Sequence, residues 1–424
     1  MTTEIAAAGD LLGLFPPGSR VDPDGELVVG GCRLADLAAA WGTPLYVVEE
    51  AAVRAQVRRF RRALEDQWRN SRMVFASKAF PCTAMYRLMA SEGIGVDVAG
   101  AGELAMALAG GVDPARIVMH GNAKTPAELQ MAVDAGVGLI VIDNTDDIDR
   151  LEDLARPGQP VLVRVIPGVR PDTHEAVATG QSGSKFGLAI PAARAAIARL
   201  RRSGKLRLDG LHMHIGSQIL AAGPYAQAIE AIAGLGDFPV YNLGGGLGVP
   251  YISGQTAPGF DPYLTTLIDA AHAHLGAEFH LVLEPGRALV ANSTVTMYSV
   301  ETIKHNVSKW VAVDGGMSDN LRPMLYGAVY EAVIADRPLA PPGELCRLAG
   351  KHCESGDVLI EAALLPDPAP GDVVVTPATG AYGHALANNY NGVPRPPVIF
   401  CSGGSARVVV RRETYADLAA RDVE

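Results

Sequence analysis

From Thr43 to Val290 the chain alternates short apolar runs with Ala-rich stretches whose apolar residues recur at helical spacing. PLYVVE, RMVFASK, GVDVA, IVMHG, LIVID, VLVRVIPG, GLHMHIG, PVYNLGGG and LVLEPG read as buried strands, each short, apolar and closed by Gly, Pro or a polar residue. Between them TAMYRLMASEG, AGELAMALAGG, TPAELQMAVDAG and PAARAAIARLRRSG read as helices, and their terminal glycines suit helix C-termini. Eight or so strand–helix units over roughly 250 residues predict a parallel sheet with right-handed crossovers, closed into a barrel. An open doubly wound sheet is the alternative. The barrel is preferred because Lys78, His214, the glycine run 244–246 and Glu284 all fall at or just after strand ends, which converge on one face of a barrel.

After Ala291 the pattern changes. TVTMYSVETIKH, KWVAVDGG, LCRLAGKHCESGDVLI, GDVVVTPATGAY and ARVVVRRET are β-rich, punctuated by Gly, Pro and Asp, and contain no long helix pattern. The expected architecture is therefore α/β, a (β/α)8 TIM-like barrel over residues 44–290 plus a mostly antiparallel β-domain over 291–424. The N-terminal segment 1–43 opens with strand signals and is assigned to the β-domain.

Composition narrows the class. A chain of 424 residues, 48% hydrophobic and 19% charged, has ample core and is not disordered. The net charge of −10, with no run of Lys and Arg interleaved with aromatics, argues against a nucleic-acid partner. The cluster RRFRR at 58–62 reads as a solvated helix face. No uninterrupted apolar stretch of about 18 residues occurs, and the N-terminus lacks a basic region followed by an apolar core, so no membrane association and a cytoplasmic location are expected. Cys32, Cys82, Cys346, Cys353 and Cys401 are scattered without CxxC or CxH spacing, so neither a metal site nor a disulfide framework is expected.

Four features carry candidate chemistry. Lys78 sits among Val74, Phe75, Ala76, Ala79 and Phe80, where the pattern otherwise writes a buried strand. An ammonium taken out of water without a partner is costly, and a lysine that sheds its proton becomes a nucleophile. In NLGGGLGVPY, Gly244, Gly245 and Gly246 follow a strand and let backbone N–H groups approach an anion, although a plain barrel turn explains the run equally well. GLHMHIGSQI places His212 and His214 on one side of a strand, with the Ser217 hydroxyl just beyond, and its spacing demands no metal. LVLEPGRALV sets Glu284 and Arg287 around a Pro285-Gly286 turn after a buried run, where a local ion pair is the simpler reading. Together they supply what pyridoxal 5'-phosphate requires: a lysine for the aldehyde, a nest for the phosphate, an imidazole to stack on the ring and a carboxylate for the pyridine nitrogen.

The combination FASKAF, GVDVAGAGEL, HGNAKTPAEL, TGQSGSKFGL, GLHMHIGSQI, NLGGGLGVPY, EPGR, VDGGMSDNLRPMLYGAVYEA, GKHCESGD and TGAYGHALANNYN resembles the fold-type III pyridoxal-phosphate-dependent decarboxylases over nearly the whole chain. Within them it is most similar to the diaminopimelate decarboxylases, which form L-lysine and CO2 from meso-2,6-diaminopimelate in the last step of lysine biosynthesis. The resemblance implies a barrel carrying the cofactor, a C-terminal β-domain and a homodimer with shared active sites. It implies Lys78 as the Schiff-base lysine and His214 as the residue stacked on the cofactor ring. Ser217, Gly246 and the Glu284-Pro285-Gly286-Arg287 turn would lie around the phosphate, with Glu284 against the pyridine nitrogen and Tyr382 contacting phosphate and substrate. It further implies Arg287, Arg322 and Tyr326 as a clamp for the distal carboxylate, Glu354 for the distal ammonium, and Cys353 as a proton donor that enters the partner subunit's site.

Two departures stand out. The segment before Asp237 is short, which predicts a trimmed barrel helix, and GHALANN follows Tyr382 where relatives carry an aromatic and a serine. A paralogue acting on another amino acid, free or carrier-bound, is the alternative within the same chemistry. The intact clamp argues against it, as the β-domain argues against a non-catalytic cofactor-binding barrel.

Overall fold

The computed structural model describes residues 11–169, 180–181 and 183–423. The first ten residues of the N-terminal segment, and Thr179 and Ser182 of the TGQSGSKFGL motif, lie outside the described residues. The described chain falls into two compact units. One is Gln56–Val249 with Ala257–Ala288; the other runs through Ala55 and takes in Pro250–Thr256 and everything from Leu289 onward.

In the first unit eight strands form a closed parallel ring: Ser71–Ala76, Gly95–Val98, Ile117–Met119, Leu139–Ile142, Gln159–Ile166, Leu206–His212, Val240–Asn242 and His280–Leu283. Each pairs in parallel with the next, and the eighth pairs with the first through Leu281 opposite Ser71. Val74, Val118, Leu139, Val141, Leu162 and Val282 form a buried cluster. Each such aliphatic side chain contributes on the order of 1.5–3 kcal/mol by leaving water.

The connecting helices start and stop where local chemistry directs. Thr125 and Glu128 form a capping box around Pro126 at the start of Pro126–Ala135, and Gly136 ends that helix in a left-handed conformation at φ +74°. Asn144 caps Thr145–Leu154 by accepting from the Asp147 N–H. The helix in the segment read as short, Gly223–Ala233, has 11 residues, as many as Ile190–Leu200. Its Tyr225, Ala228, Ile229 and Ile232 recur at helical spacing and are buried.

The second unit holds a sheet ordered Val358–Ala363, Cys346–Ala349, Lys309–Val313, Thr294–His305, Leu45–Glu49, Val398–Ser402 and Ser405–Val410, with Val373–Thr376 also on the long central strand. Most pairings are antiparallel; Lys309–Val313 with Cys346–Ala349, and Val398–Ser402 with Leu45–Glu49, are parallel. PLYVVE, expected to open the barrel at residue 44, is therefore a strand of this second sheet. All five of its residues are buried, and a continuous apolar run does not distinguish a barrel strand from the interior strand of a mixed sheet. Leu27, Val29, Leu34 and Leu37 of the N-terminal segment pack with Val295, Met297 and Ile399 in the core of the same unit. Among the described residues no helix is long and apolar enough to cross a membrane.

Candidate active site

Within the barrel unit the ends of several strands bring charged and polar groups together, as the fold requires. Glu284, just past the eighth strand, is buried, and its N–H donates to Gly244 O at 2.8 Å. Its Oε1 accepts from Asn242 Nδ2 at 2.7 Å and lies 2.8 Å from His120 Nε2, while Oε2 lies 3.2 Å from His212 Nε2. Burial pushes this carboxyl upward, but the two imidazoles and their hydrogen bonds outweigh it and hold the carboxyl well below the usual range. Burial, working against the Glu284 charge, brings His212 down to about 3, so its ring is neutral and donates through Nε2–H.

His120, His212 and Glu284 could converge on a metal ion, since their donor atoms lie within 4.8 Å of one another. Ligation through Nε2 would move the His212 proton to Nδ1, which is buried and has no hydrogen-bond partner. The cluster is therefore best suited to holding an anionic carboxylate with three donors around it.

Lys78 stands on a one-turn 3-10 segment, Ser77–Ala79, directly after the first strand. Contrary to the expectation of a lysine buried in a strand, its side chain is exposed, while Ser77, Ala79 and Phe80 are buried around it. The turn is held from beneath: Ser77 N–H donates to Asp97 Oδ1 at 2.9 Å and Ser77 Oγ to Asp97 O. Burial first, and then the Glu284 charge, raise Asp97 to about 7 against the pull of His120 and Lys78.

His214 lies two residues beyond the sixth strand and is half-buried, with Nδ1 accepting from Gly245 N–H at 3.3 Å. Burial, then the charges of Lys78 and Arg164, push its pKa well below the ordinary value, so the ring is neutral. Gly244 N–H donates to Asn242 Oδ1 at 2.9 Å. Two of the three N–H groups expected to form an anion nest are thus committed to the protein. Steric fit is what requires glycine here: a Cβ on Gly245 would stand 2.0 Å from Glu284 O, and one on Gly246 2.3 Å from Gly216 O. Gly244 and Gly246 also have φ of +70° and +122°.

Ser217 Oγ accepts from Arg287 Nη2 at 2.8 Å and from Nε at 3.3 Å, and Arg287 is buried. The Pro285-Gly286 turn packs on the end of the first strand, where Ala76 N–H donates to Pro285 O at 3.1 Å and a Cβ on Gly286 would meet Ala76 Cβ at 2.8 Å. Lys78, His214, Ser217, Gly244, Gly245, Gly246, Glu284, Pro285, Gly286 and Arg287 all belong to this one unit.

Asp97, His120, Asn242 and Arg164 are buried in the same unit, and the motifs alone did not single them out. Each interrupts or ends an apolar strand run, the one signal available in the sequence. Arg164 lies 3.8 Å from Asp143 and 4.6 Å from the Phe186 ring centroid.

The second unit carries the remaining candidates. Arg322 is buried, hydrogen-bonded to Tyr330 Oη, with its guanidinium carbon 4.4 Å from the Tyr251 ring centroid. Tyr326 ends the same short helix, Arg322–Tyr326, and is half-buried. Cys353 and Glu354 are both exposed on one loop. Tyr382 adopts φ +64°, a conformation that costs a non-glycine residue on the order of 1 kcal/mol or more and clusters at functional sites.

Residues 50–291 match the family model described as "Pyridoxal-dependent decarboxylase, pyridoxal binding domain". The chain is 45% identical to a diaminopimelate decarboxylase from Actinosynnema pretiosum subsp. auranticum, over 97% of this chain and 95% of the relative. It is 40% identical to the enzyme of that name from Bacillus subtilis, over 96% and 97%. A crystal structure of diaminopimelate decarboxylase from M. jannaschii in complex with L-lysine superposes with a TM-score of 0.89 at 31% identity, covering 96% of this chain and 98% of that one. The chain belongs to the pyridoxal-dependent decarboxylases, within the diaminopimelate decarboxylase family.

Proposed function

We propose that the chain decarboxylates meso-2,6-diaminopimelate to L-lysine and CO2, with pyridoxal 5'-phosphate as cofactor, as the last step of lysine biosynthesis. The observation that carries this reading is the buried, anionic Glu284 with donors on both oxygens, in the same strand-end cluster whose charges act on Lys78's neighbours. The residues fit the cofactor: an exposed amine at Lys78 for the aldehyde, Glu284 for the pyridine nitrogen, and His214 for the ring face. Ser217, Gly246 and Arg287, with Tyr382 of the second unit, are assigned to the phosphate. When bound, this group supplies an electron sink for the pair left behind as CO2 departs.

The chain's own residues do the rest. Glu284 holds a proton at the nitrogen facing it, because its carboxylate is kept charged while His212 stays neutral. Lys78, presented by the Asp97-anchored turn, is free to bind and release an aldehyde carbon. Arg287, Arg322 and Tyr326 bind the distal carboxylate and Glu354 the distal ammonium, which orients the substrate and selects one with a second amino-acid head. Cys353 delivers the proton that completes the product. Its exposure, with that of Glu354, supports a homodimer in which this loop enters the partner subunit's site. Five free thiols fit a reducing, cytoplasmic setting.

The test is to incubate purified protein and pyridoxal 5'-phosphate separately with meso-diaminopimelate, L-ornithine, L-arginine and D-lysine, following CO2 and the chirality of the amine product. L-lysine from meso-diaminopimelate is expected. Its absence, or faster turnover of another substrate, overturns the assignment.

A further inference from the structure

We infer that His352 and Asp357 are positioning residues that fix Cys353 and Glu354 for the reaction. This inference rests on the function proposed above. The loop between strands Cys346–Ala349 and Val358–Ala363 is closed at its base by Gly350 N–H donating to Asp357 O at 3.0 Å. The Asp357 side chain points back into the unit and is buried. Its Oδ1 accepts from Met317 N–H at 2.7 Å, and its Oδ2 accepts from both the backbone N–H of His352 at 3.0 Å and ring Nδ1 at 2.7 Å.

Room for this carboxylate depends on two glycines. A Cβ on Gly350 would stand 2.1 Å from Asp357 Oδ2, and one on Gly316 2.5 Å from the same oxygen. The His352 ring is buried and parallel to Tyr390, at an interplanar angle of 10° and 5.8 Å between centroids. One residue later the chain is exposed, and Cys353 N–H donates at 2.8 Å to Oδ1 of Asn391, whose own backbone sits at φ +52°.

The loop thus changes from a wholly buried anchor to two exposed functional side chains between consecutive residues. Three hydrogen bonds and a ring stack converge on the His352 and Asp357 side chains and the His352 N–H, Asp357 N–H donates to Glu354 O at 3.1 Å, and a further bond ties Cys353 N–H to Asn391. A thiol that must deliver a proton to one carbon gains from such an anchor, since misplacement by about 1 Å can cost on the order of 100-fold in rate. Glu354, the next residue, inherits the same constraint for the distal ammonium.

The test compares His352→Phe, which keeps a ring against Tyr390 and the backbone N–H but has no ring N–H for Asp357, with His352→Asn, which restores a side-chain N–H near the Nδ1 position. Holoenzyme of each is assayed with meso-diaminopimelate, its cofactor affinity is measured by absorbance, and hydrogen exchange is followed across residues 350–357. For His352→Phe, kcat is expected to fall roughly tenfold to a hundredfold with cofactor affinity unchanged, and exchange in the loop to accelerate. His352→Asn should recover most of both. Wild-type kcat and exchange in His352→Phe overturn the inference, as does a loss of cofactor affinity in step with kcat, which indicates general damage. If His352→Phe fails to fold, Asn391→Gly, which keeps the positive φ and removes only the Cys353 tether, must give the same split or the inference fails. A wild-type enzyme that makes no L-lysine sinks the proposed function instead, and the exchange comparison then decides the anchoring role alone.

Discussion

Nε2 of His120 lies 2.8 Å from Oε1 of Glu284, joining the end of the third barrel strand to the end of the eighth across the interior of the unit. With Asn242 and His212 also on this carboxylate, its charge is fixed by geometry before any ligand arrives. Glu284→Gln removes the charge and turns an amide N–H toward at least one existing donor. The expected result is a fall in kcat of about 10²–10³-fold at saturating cofactor, with L-lysine still the product. A Gln variant of near wild-type kcat would show that the charge is not used.

The glycine run makes a second, purely steric prediction. Gly245→Ala places a methyl 2.0 Å from the backbone oxygen of Glu284, where neither chain can yield cheaply. It is expected to destabilise the protein by about 1–3 kcal/mol or more and to lower activity, since the strain falls on Glu284 itself. Gly102→Ala is the control: it is exposed in the first turn of helix Ala101–Ala109, and a Cβ there meets nothing within 4 Å. It should stabilise by up to roughly 1 kcal/mol, and thermal melting of the two variants should move in opposite directions.

Lys124 and Asp147 form an ion pair at 2.7 Å with side chains only 1% and 0% exposed. Lys124 Nζ also donates to Gly121 O at 2.6 Å, beside His120, so the pair helps hold the loop that carries a Glu284 partner. Lys124→Met strands the Asp147 carboxylate in the interior and is expected to cost about 3–5 kcal/mol. Adding Asp147→Leu should recover much of that loss. Denaturant midpoints for the single and double variants decide it, and a double variant no better than the single would refute the pairing argument.

How much of this was legible in the sequence follows from what each signal depends on. Barrel strands such as LIVID and helices such as TPAELQMAVDAG declare themselves through local periodicity, caps and terminal glycines, and the structure forms them. PLYVVE is equally apolar, but its sheet is chosen by partners more than 200 residues away, at Thr294–Met297 and Val398–Cys401. The motifs named His214, Ser217, Glu284 and Arg287, and the structure places all four in the barrel unit. Asp97, His120 and Asn242 stayed hidden because their significance is a contact with Ser77 or Glu284, not a spacing. Lys78 was read correctly as a strand-end residue but not as a buried one: its apolar neighbours turn inward on a 3-10 segment while Lys78 itself is exposed.

Asp97 links that turn to pH. Its carboxyl is held up to about 7, first by burial and then by Glu284, against an ordinary value of 3.8 in the unfolded chain. Between those two values the folded protein keeps a proton that the unfolded chain has released, so this residue's contribution to stability is fully present below about pH 4, declines as pH rises, and is gone above about pH 7. Asp97→Asn cannot ionise, yet its Oδ1 still accepts the Ser77 N–H, so the turn carrying Lys78 should persist. Relative to wild type, the Asn variant is therefore expected to gain stability from pH 5 to pH 8, by on the order of a few kcal/mol. Denaturation midpoints of both proteins without cofactor at the two pH values measure the difference. A gap that stays constant would mean that Asp97 does not titrate in this window and that its carboxylate is already charged beside Lys78.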